Sequence, residues 1–499
     1  MKAKVHREDW SVFDFFACLE RDAHIKNCLS RCFFSLFIRK KRGKWMFDHW
    51  VQGRFKALLD TFWFIPAVVS LSGPLLALIF LVVDRVGLSE RLNEPLLFHG
   101  GVSAASALLS TIAGSLITVE GLALSVTIVA LQLVSSQYTP RALRGFLQDR
   151  TTQCVAGGFF AIFSYASIVL ATVLEPVAPA QGFVPRLSIT VAIGLSFLGL
   201  ALLLLFIHHT GRIIQVSDIV ARTAEQTLQA IDQQYRNEID EIPVLEVAAQ
   251  IQSIYMDERP ASIVAPRSGY VQRIELAHLL TDIIRPRLHL RFVVAPGDFV
   301  TDGSLIVEIW PSEAANEKIR SAIAHHVHIE RERDITHDAK FGVRQLTDIA
   351  LRALSPAVND PTTAVLCIKY LRATFEHIAR LSVQETAYHF AQGTSSVVLR
   401  RPAFHEYVRM YVEISLYAGG NARIINTLLR ALTSIAQITA SIGPVERADT
   451  LRTVSAKILA HALEQISDEQ ECAHIREQVD QIEQILKEEE QEVKQVSDK

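Results

Sequence analysis

A long apolar run, residues 103–134, limits the fold of this chain more than any other stretch. It contains no Pro, Lys or Arg, and Glu120 is its one charged residue. An α-helix rises about 1.5 Å per residue, so the run exceeds the ~20 residues that cross the hydrocarbon core of a bilayer. It therefore predicts a transmembrane helix that extends beyond the membrane.

Small and polar residues recur on one side of this predicted helix. At about 100° per residue, one face, here called the small-residue face, collects Ser103, Ala107, Ser110, Gly114, Gly121, Ser125 and Gln132. Small side chains let another backbone approach closely within a membrane. We expect this face to pack against a second helix, either of the same chain or of another subunit.

Glu120 lies on a flank of the helix, beside Ser106, Ala113 and Thr127. A carboxylate at the middle of a membrane costs about 2.5–3.5 kcal/mol on insertion scales, so such a group is neutral, paired or in a wet cavity. Two interpretations stay open. Glu120 is either a protonated acid hydrogen-bonded to a neighbouring helix or part of an ion or proton pathway, and Gln132 is the second intramembrane polar candidate.

Three further apolar runs, at 62–83, 154–174 and 187–207, bring the predicted number of transmembrane helices to four. Lys and Arg are distributed unevenly between the connecting segments. Residues 39–56 hold seven and 137–153 three, whereas 84–102 hold two and 175–186 one. Because positively charged segments stay in the cytoplasm, both termini are expected to be cytoplasmic and the protein to lie in a bacterial inner membrane.

The sequence pattern changes after the fourth apolar run. Short β-rich runs separated by Gly, Pro and Asp predict a small module resembling the barrels of lipoyl-like and efflux-adaptor domains. The predicted organisation is a basic and aromatic N-terminal segment (1–57), a four-helix transmembrane domain (58–209), a helical stalk (210–261), a small β domain (262–310) and a mostly helical domain with an acidic C-terminal helix (311–499). The fold class is thus a multi-pass α-helical membrane protein with a cytoplasmic α+β part containing a small β-barrel-like module.

Two features are predicted within the last domain. Alternating residues predict strands at 397–401 and 408–416. The heptad-like spacing of apolar residues in the C-terminal helix suits either a short coiled coil or an amphipathic helix packed on the domain. The residues with this spacing are Ile475, Val479, Ile482 and Leu486.

Residues 352–363 form a second candidate site, in which Pro356 and Pro361 bracket a turn between two helical runs. Ser355, Asn359 and Asp360 lie in or beside this turn, and Arg352 stands one helical turn upstream as a charge partner for Asp360. Asn and Asp in such places act as helix caps or form Asx turns. The alternative is a binding site, but we expect the turn to fix the packing of the helices around it.

Composition and motifs argue against several classes of protein. Six scattered cysteines lack metal-site spacing and suit a reduced compartment. A net charge of −3 gives no reason to expect a nucleic-acid partner. The histidines near residue 326 stand beside acids, yet a charged helical stretch is more typical of a solvated surface. We predict no metal and no cofactor, and without a P-loop, GxSxG, HExxH or Rossmann motif we predict no enzyme.

Several motifs together resemble the bacterial predicted membrane proteins of domain-of-unknown-function family 2254. They are SLITVEGLALSVTIVALQLVSSQYTPRALRGFLQDRTTQ, SGYVQRIE, PGDFV and FGVRQLTDIALRALSPAVNDPTTAV. The resemblance spans about residues 60–445 and implies a membrane location and this architecture, without an activity. The family commonly has a small or apolar residue at the position of Glu120, so the resemblance implies no shared role for this acid.

Two function classes follow from this architecture. The first is an oligomeric channel or transport-like protein with a cytoplasmic regulatory module, since a membrane span leading into a β domain and then a mixed domain is similar to small mechanosensitive channels. The alternative is a membrane-anchored sensor or scaffold that binds a cytoplasmic ligand or protein. The expected partners are the lipid bilayer and other copies of the chain.

The distribution of Lys and Arg makes a direct prediction of topology. Reporter enzymes fused after Asp84 and after Gln181 should report the extracytoplasmic side, because both positions follow odd-numbered spans. Fusions after Arg150 should report the cytoplasmic side and serve as the control. Cytoplasmic activity at both Asp84 and Gln181 would contradict the scheme.

Overall fold

The structure is a computed structural model, and it describes residues 63–86, 97–137, 149–173, 183–213, 215–235, 241–242, 259–283, 287–381, 386–390, 395–442 and 445–497. The chain divides into two compact units. The first comprises residues 1–132 and 143–213, and the second 133–142 and 214–499. The predicted N-terminal segment, residues 1–57, lies outside the described residues.

Four long helices build the first unit, at the places where apolar runs predict them. They are α1 Phe64–Arg85, α2 Val102–Gln137, α3 Arg150–Thr172 and α4 Arg186–Ile213. All four are long and apolar enough to cross a membrane. α4 continues beyond the predicted end at Ile207, because Gly211 is only a weak helix breaker.

The closest packing in this unit is between α1 and α3. A Cβ atom built on Gly73 would lie 1.9 Å from the carbonyl oxygen of Ala161, and one on Gly157 would lie 2.9 Å from that of Pro66. Glycine is therefore needed at both places for the two backbones to approach. α4 packs against α3 and also contacts α1, and α2 joins the bundle through one apolar face.

Carboxylates hold the ends of two of these helices. Asp84, at the end of α1, accepts hydrogen bonds from the backbone N–H and hydroxyl of Ser188, at 2.9 and 2.7 Å, and so caps the first turn of α4. Asp149 caps α3 by accepting the N–H of Thr152 at 2.8 Å. A negative charge at a helix N-terminus satisfies otherwise unpaired N–H groups and opposes the helix dipole.

The second unit combines two sheets with a helical core. Its described strands are β1 Glu241–Ile242, β2 Ala261–Val264, β3 Gly269–Ile274, β4 His289–Phe292, β5 Phe299–Val300, β6 Leu305–Trp310, β7 Val327–Glu330, β8 Thr386–Phe390 and β9 Ser395–Leu399. Its described helices are α5 Val216–Tyr235, α6 Leu276–Asp282, α7 Glu317–His326, α8 Ala339–Ala353, α9 Pro361–Ala379, α10 Phe404–Val408, α11 Met410–Leu416, α12 Ala422–Ile442, α13 Val445–Gln465 and α14 Glu469–Ser497.

The strands form open sheets, so the predicted barrel-like module needs correction. One sheet has the order β1-β8-β9-β4-β6-β2 and the other the order β5-β3-β7, and neither closes among the described strands. β4 pairs in parallel with β9, which follows it by about a hundred residues, with Leu290 opposite Val397. Local strand patterns over 262–310 could not reveal this pairing, since a parallel partner needs a long crossover connection.

The predicted strand at 408–416 is wrong, because this segment lies in α10 and α11. Its buried side chains follow the helical repeat rather than alternation, with Tyr407, Val408, Tyr411 and Ile414 on the inner side. The companion prediction at 397–401 overlaps β9.

A single apolar core joins most of the helices in the second unit. α5, from the segment predicted as a stalk, packs against α8 and α9 and buries Val220 and Ile231 there. α14 packs on α12 and α13 and buries Ile475, Ile482 and Leu486 in the same core. Within one chain the C-terminal helix is thus an amphipathic helix docked on its own domain.

The α1–α3 contact predicts that Gly73→Ala destabilises the first unit. The added methyl group would overlap the Ala161 carbonyl, and separating the helices should cost about 1–3 kcal/mol. We expect a lower melting temperature of the purified protein in detergent. Gly194→Ala on α4 is the control, because no described heavy atom lies within 4 Å of its Cβ position. Equal melting temperatures for the two variants would contradict the close contact.

Candidate functional site

The small-residue face of α2 is uncovered in the described part of the chain. All seven of its residues, including Ser125 and Gln132, are exposed. No described heavy atom lies within 4 Å of a Cβ built on Gly114 or Gly121. The roughly opposite side of α2 is buried, with Leu109 and Leu116 among its apolar residues. Of the two predicted packing partners, a helix of the same chain is therefore not found on this face among the described residues.

Glu120 belongs to the buried side of α2 and not to the small-residue face. Its side chain is only 3% exposed, and neither carboxyl oxygen has a hydrogen-bond partner among the described residues. The α2 residues one turn on either side, Leu116 and Ala123, pack in an apolar cluster with Phe159 of α3 and Phe206 of α4. The expected hydrogen bond to a neighbouring helix is thus not found within the described chain.

A polar cluster lies where α3 begins and α4 ends. The Oδ2 atom of Asp149 accepts the hydroxyl of Thr152 at 2.7 Å and lies 2.8 Å from Nε2 of His209. Burial raises the pKa of Asp149, but the hydrogen bonds and charge of His209, with the bonds from Thr152, outweigh it and hold this pKa below its ordinary value. The pair therefore ties α3 to α4 with Asp149 ionised at neutral pH.

Gln153 is a further polar residue of this region that sequence reasoning missed. It is 1% exposed, so its amide group lies inside the bundle. The sequence does predict the start of α3. An acid just before an apolar run, as in Asp149-Arg150-Thr151-Thr152, is typical of a helix N-cap. This pattern predicts the capping role of Asp149, but it does not predict that Gln153 is buried.

The turn between α8 and α9 is organised by Asp360. Its Oδ1 atom accepts the N–H groups of Thr362 and Thr363 at 3.0 and 3.1 Å, and its Oδ2 atom accepts the Thr363 hydroxyl at 2.5 Å. The hydroxyl bond is the main cause that holds the pKa of Asp360 below its ordinary value. Asp360 is therefore the N-cap of α9.

The rest of this motif supports the same turn. Asn359 has a positive φ of 48°, a conformation that Asn adopts more readily than most residues. The hydroxyl of Ser355 donates to the carbonyl of Arg352 at 2.7 Å, which closes the end of α8. The geometry therefore matches a capped turn, and it places this motif in a different unit from Glu120.

The histidine-rich segment near residue 326 is partly buried, whereas its sequence predicts a solvated surface. His326 is buried, with Nε2 2.9 Å from Asp282 and Nδ1 3.3 Å from Glu275. Glu275 also pairs with Arg273 at 2.6 Å. Although burial raises the pKa of Glu275, these contacts outweigh it and hold that pKa below its usual value. The cluster joins β3, α6 and α7, and no group of three possible metal ligands with suitable geometry occurs among the described residues.

Comparison with known proteins places these features in a family. Residues 60–434 match the model of domain-of-unknown-function family 2254, described as a predicted membrane protein. Uncharacterized proteins of Mycobacterium tuberculosis and Mycobacterium bovis are each 30% identical over 437 residues, which cover 85% of this chain and 81% of theirs. No solved structure matches the chain.

The capping role of Asp360 predicts a stability effect. Asp360→Ala should destabilise the protein by about 1–2 kcal/mol, because the first N–H groups of α9 lose their acceptor. Asp360→Asn keeps a side-chain oxygen as an acceptor and should therefore lose less stability than Asp360→Ala. Since the folded pKa of Asp360 is lowered, its charge stabilises the protein at neutral pH, and this contribution disappears as the pH falls through that pKa.

Thermal melts of both variants between neutral and acidic pH test this prediction. The difference in melting temperature between wild type and Asp360→Asn should become smaller at acidic pH. A normally melting and normally assembled Asp360→Ala protein would rule out the structural role and favour a binding site at the turn.

Proposed function

Because the chain belongs to this family of predicted membrane proteins, we propose that it spans a bacterial inner membrane and forms a homo-oligomeric channel or transport-like protein. The subunits meet along the small-residue face of α2, and the polar residues of that face border the transport path. The second unit lies in the cytoplasm and regulates the path.

The observation that carries this proposal is the uncovered small-residue face. Lipid chains fill the space beside Gly114 and Gly121 less completely than a second helix does, and backbones that approach closely gain van der Waals contact. Ser110, Ser125 and Gln132 lie on the same face. Exposing polar groups to hydrocarbon costs free energy. Between helices they can form hydrogen bonds with each other, and in a water-filled path they are hydrated. A symmetric ring of α2 helices provides both environments.

The proposed orientation rests on the distribution of charge. The segments before α1 and between α2 and α3 hold more Lys and Arg than the segments after α1 and α3. Positive segments stay in the cytoplasm, and the second unit follows the fourth span on that same side. Its helical core and open sheets then provide a cytoplasmic module through which a ligand or a partner protein acts on the membrane helices.

The proposal predicts that Gly121→Leu disrupts assembly without unfolding the subunit. A Cβ atom at Gly121 meets no described atom within 4 Å, so we expect the effect of a leucine there to fall on contacts between subunits. We expect a smaller particle by mass measurement in detergent and at least a tenfold lower ionic current in planar bilayers. The melting temperature of the subunit should change little.

Gly194→Leu on α4 is the matched control, because this glycine is equally open in the chain but lies outside α2. It should leave both particle size and current at the wild-type level. A monomeric wild-type protein that conducts no ions would overturn the channel proposal and favour the membrane-anchored sensor or scaffold.

A further inference from the structure

We propose that Glu120 is a proton-binding site inside the helix bundle, reached from the end of the bundle that carries Asp149 and His209. The site itself depends only on the arrangement of α2, α3 and α4. Its use, with the proton as a transported or gating species, rests on the proposed channel or transport function.

The first argument is the surroundings of Glu120. Its side chain is 97% buried, since only 3% is exposed, and no described group donates a hydrogen bond to either oxygen. Leu116 and Ala123, one turn before and after Glu120 on α2, pack in an apolar cluster with Phe159 and Phe206. An ionised carboxylate in such a place costs far more than a neutral one. Glu120 therefore holds a proton when the bundle is closed around it.

The second argument is that a proton is the one cation this site accommodates. Calcium and magnesium ions require six or more oxygen ligands, and Glu120 supplies two oxygens among apolar side chains. A basic residue of another subunit is excluded by the burial of Glu120 within its own chain. A proton needs a single oxygen and leaves the group uncharged, so a lone carboxyl suffices.

The third argument is the direction of access. The helices lie antiparallel, because Ala105 and Leu109 of α2 cluster with Val169 of α3, whereas Ala123 clusters with Val155. From Glu120 towards the start of α2, the buried positions of α2 itself are all apolar, namely Leu116, Ala113, Leu109 and Ala105. The buried polar groups at that end of the bundle, Asp84, Ser188 and the Tyr165 hydroxyl, are hydrogen-bonded to one another.

In the opposite direction the buried residues become polar. Thr127 lies two turns beyond Glu120 on the same side of α2, and Gln153 of α3 is also buried. Asp149 and His209 follow at the end of the bundle. Polar side chains can pass a proton along hydrogen bonds, whereas the apolar stretch of α2 from Leu116 to Ala105 offers none, so Glu120 exchanges protons with the side of Asp149 and His209.

No described charged group pairs with Glu120 itself. The charged or titratable residues on this half of the elements packed against it are Asp149, Arg150, Cys154, His208, His209 and Arg212. Among these, Asp149 and His209 pair with each other at 2.8 Å. The state of Glu120 therefore follows the proton supply rather than a fixed counterion.

Dicyclohexylcarbodiimide tests the site directly, because it enters apolar regions and reacts with protonated carboxyl groups. The acid proton moves to a carbodiimide nitrogen, the carboxylate oxygen adds to the central carbon, and the adduct rearranges to a stable N-acylurea without a leaving group. The full-length protein in detergent is treated across a pH series, and the modified peptides are quantified by mass spectrometry.

We expect modification of Glu120 that falls at least tenfold from acidic to alkaline pH and is lost in Glu120→Gln. Asp84 is the internal control, because it is also buried but both of its carboxyl oxygens accept hydrogen bonds, from Leu187 and Ser188, so it should stay unmodified. In sealed vesicles with different internal and external pH, labelling should follow the pH on the side of Asp149 and His209. No labelling of Glu120 at any pH in the folded protein, labelling independent of pH, or labelling that follows the opposite side would overturn the proposal.

The two proposals fail in different experiments. pH-dependent labelling of Glu120 in a protein that conducts no ions would leave the proton site intact and overturn the channel. A normal current with Glu120 unmodified at every pH would overturn the proton site and leave the channel.

Discussion

The backbone contact between α1 and α3 is the constraint on which the first unit depends. Gly73 and Gly157 bring the two helices so close that any side chain at either position would overlap a carbonyl group. α4 packs against α3 and also contacts α1, so these three helices form the compact part of the bundle. α2, the longest helix, joins this group through one face only, and its other side remains available to a partner.

This arrangement gives the two sides of α2 separate tasks. The outer side carries Gly114 and Gly121, where small residues favour contact with another helix. The inner side carries the buried Glu120 between Leu116 and Ala123, which pack against apolar residues of α3 and α4. Assembly and proton binding, as proposed, therefore use different faces of one helix. A shift of α2 within an oligomer would change the surroundings of Glu120, which offers a physical route for coupling the two.

A comparison of the buried or capping acids explains why Glu120 stands apart. Asp84, Asp149 and Asp360 each accept hydrogen bonds from backbone N–H groups in the first turn of a helix, which otherwise have no acceptor within the helix. Glu120 lies in the middle of α2, where all backbone N–H groups are already used within the helix. A carboxyl group thus caps a helix when it lies beside free backbone N–H groups, and it has no such donors when it lies in the middle of a helix.

Sequence alone determined the four apolar helices, the position of the small-residue face and the cap at Asp360, because these depend on local hydrophobicity, helical periodicity and turn residues. Only the tertiary structure decided which side of α2 is buried, that His326 lies between Glu275 and Asp282, and that β4 pairs with β9. It also replaced the predicted strand at 408–416 with helices. The physical reason is that burial and strand pairing depend on residues far away in the chain, and no local pattern records which distant surface will cover a given side chain.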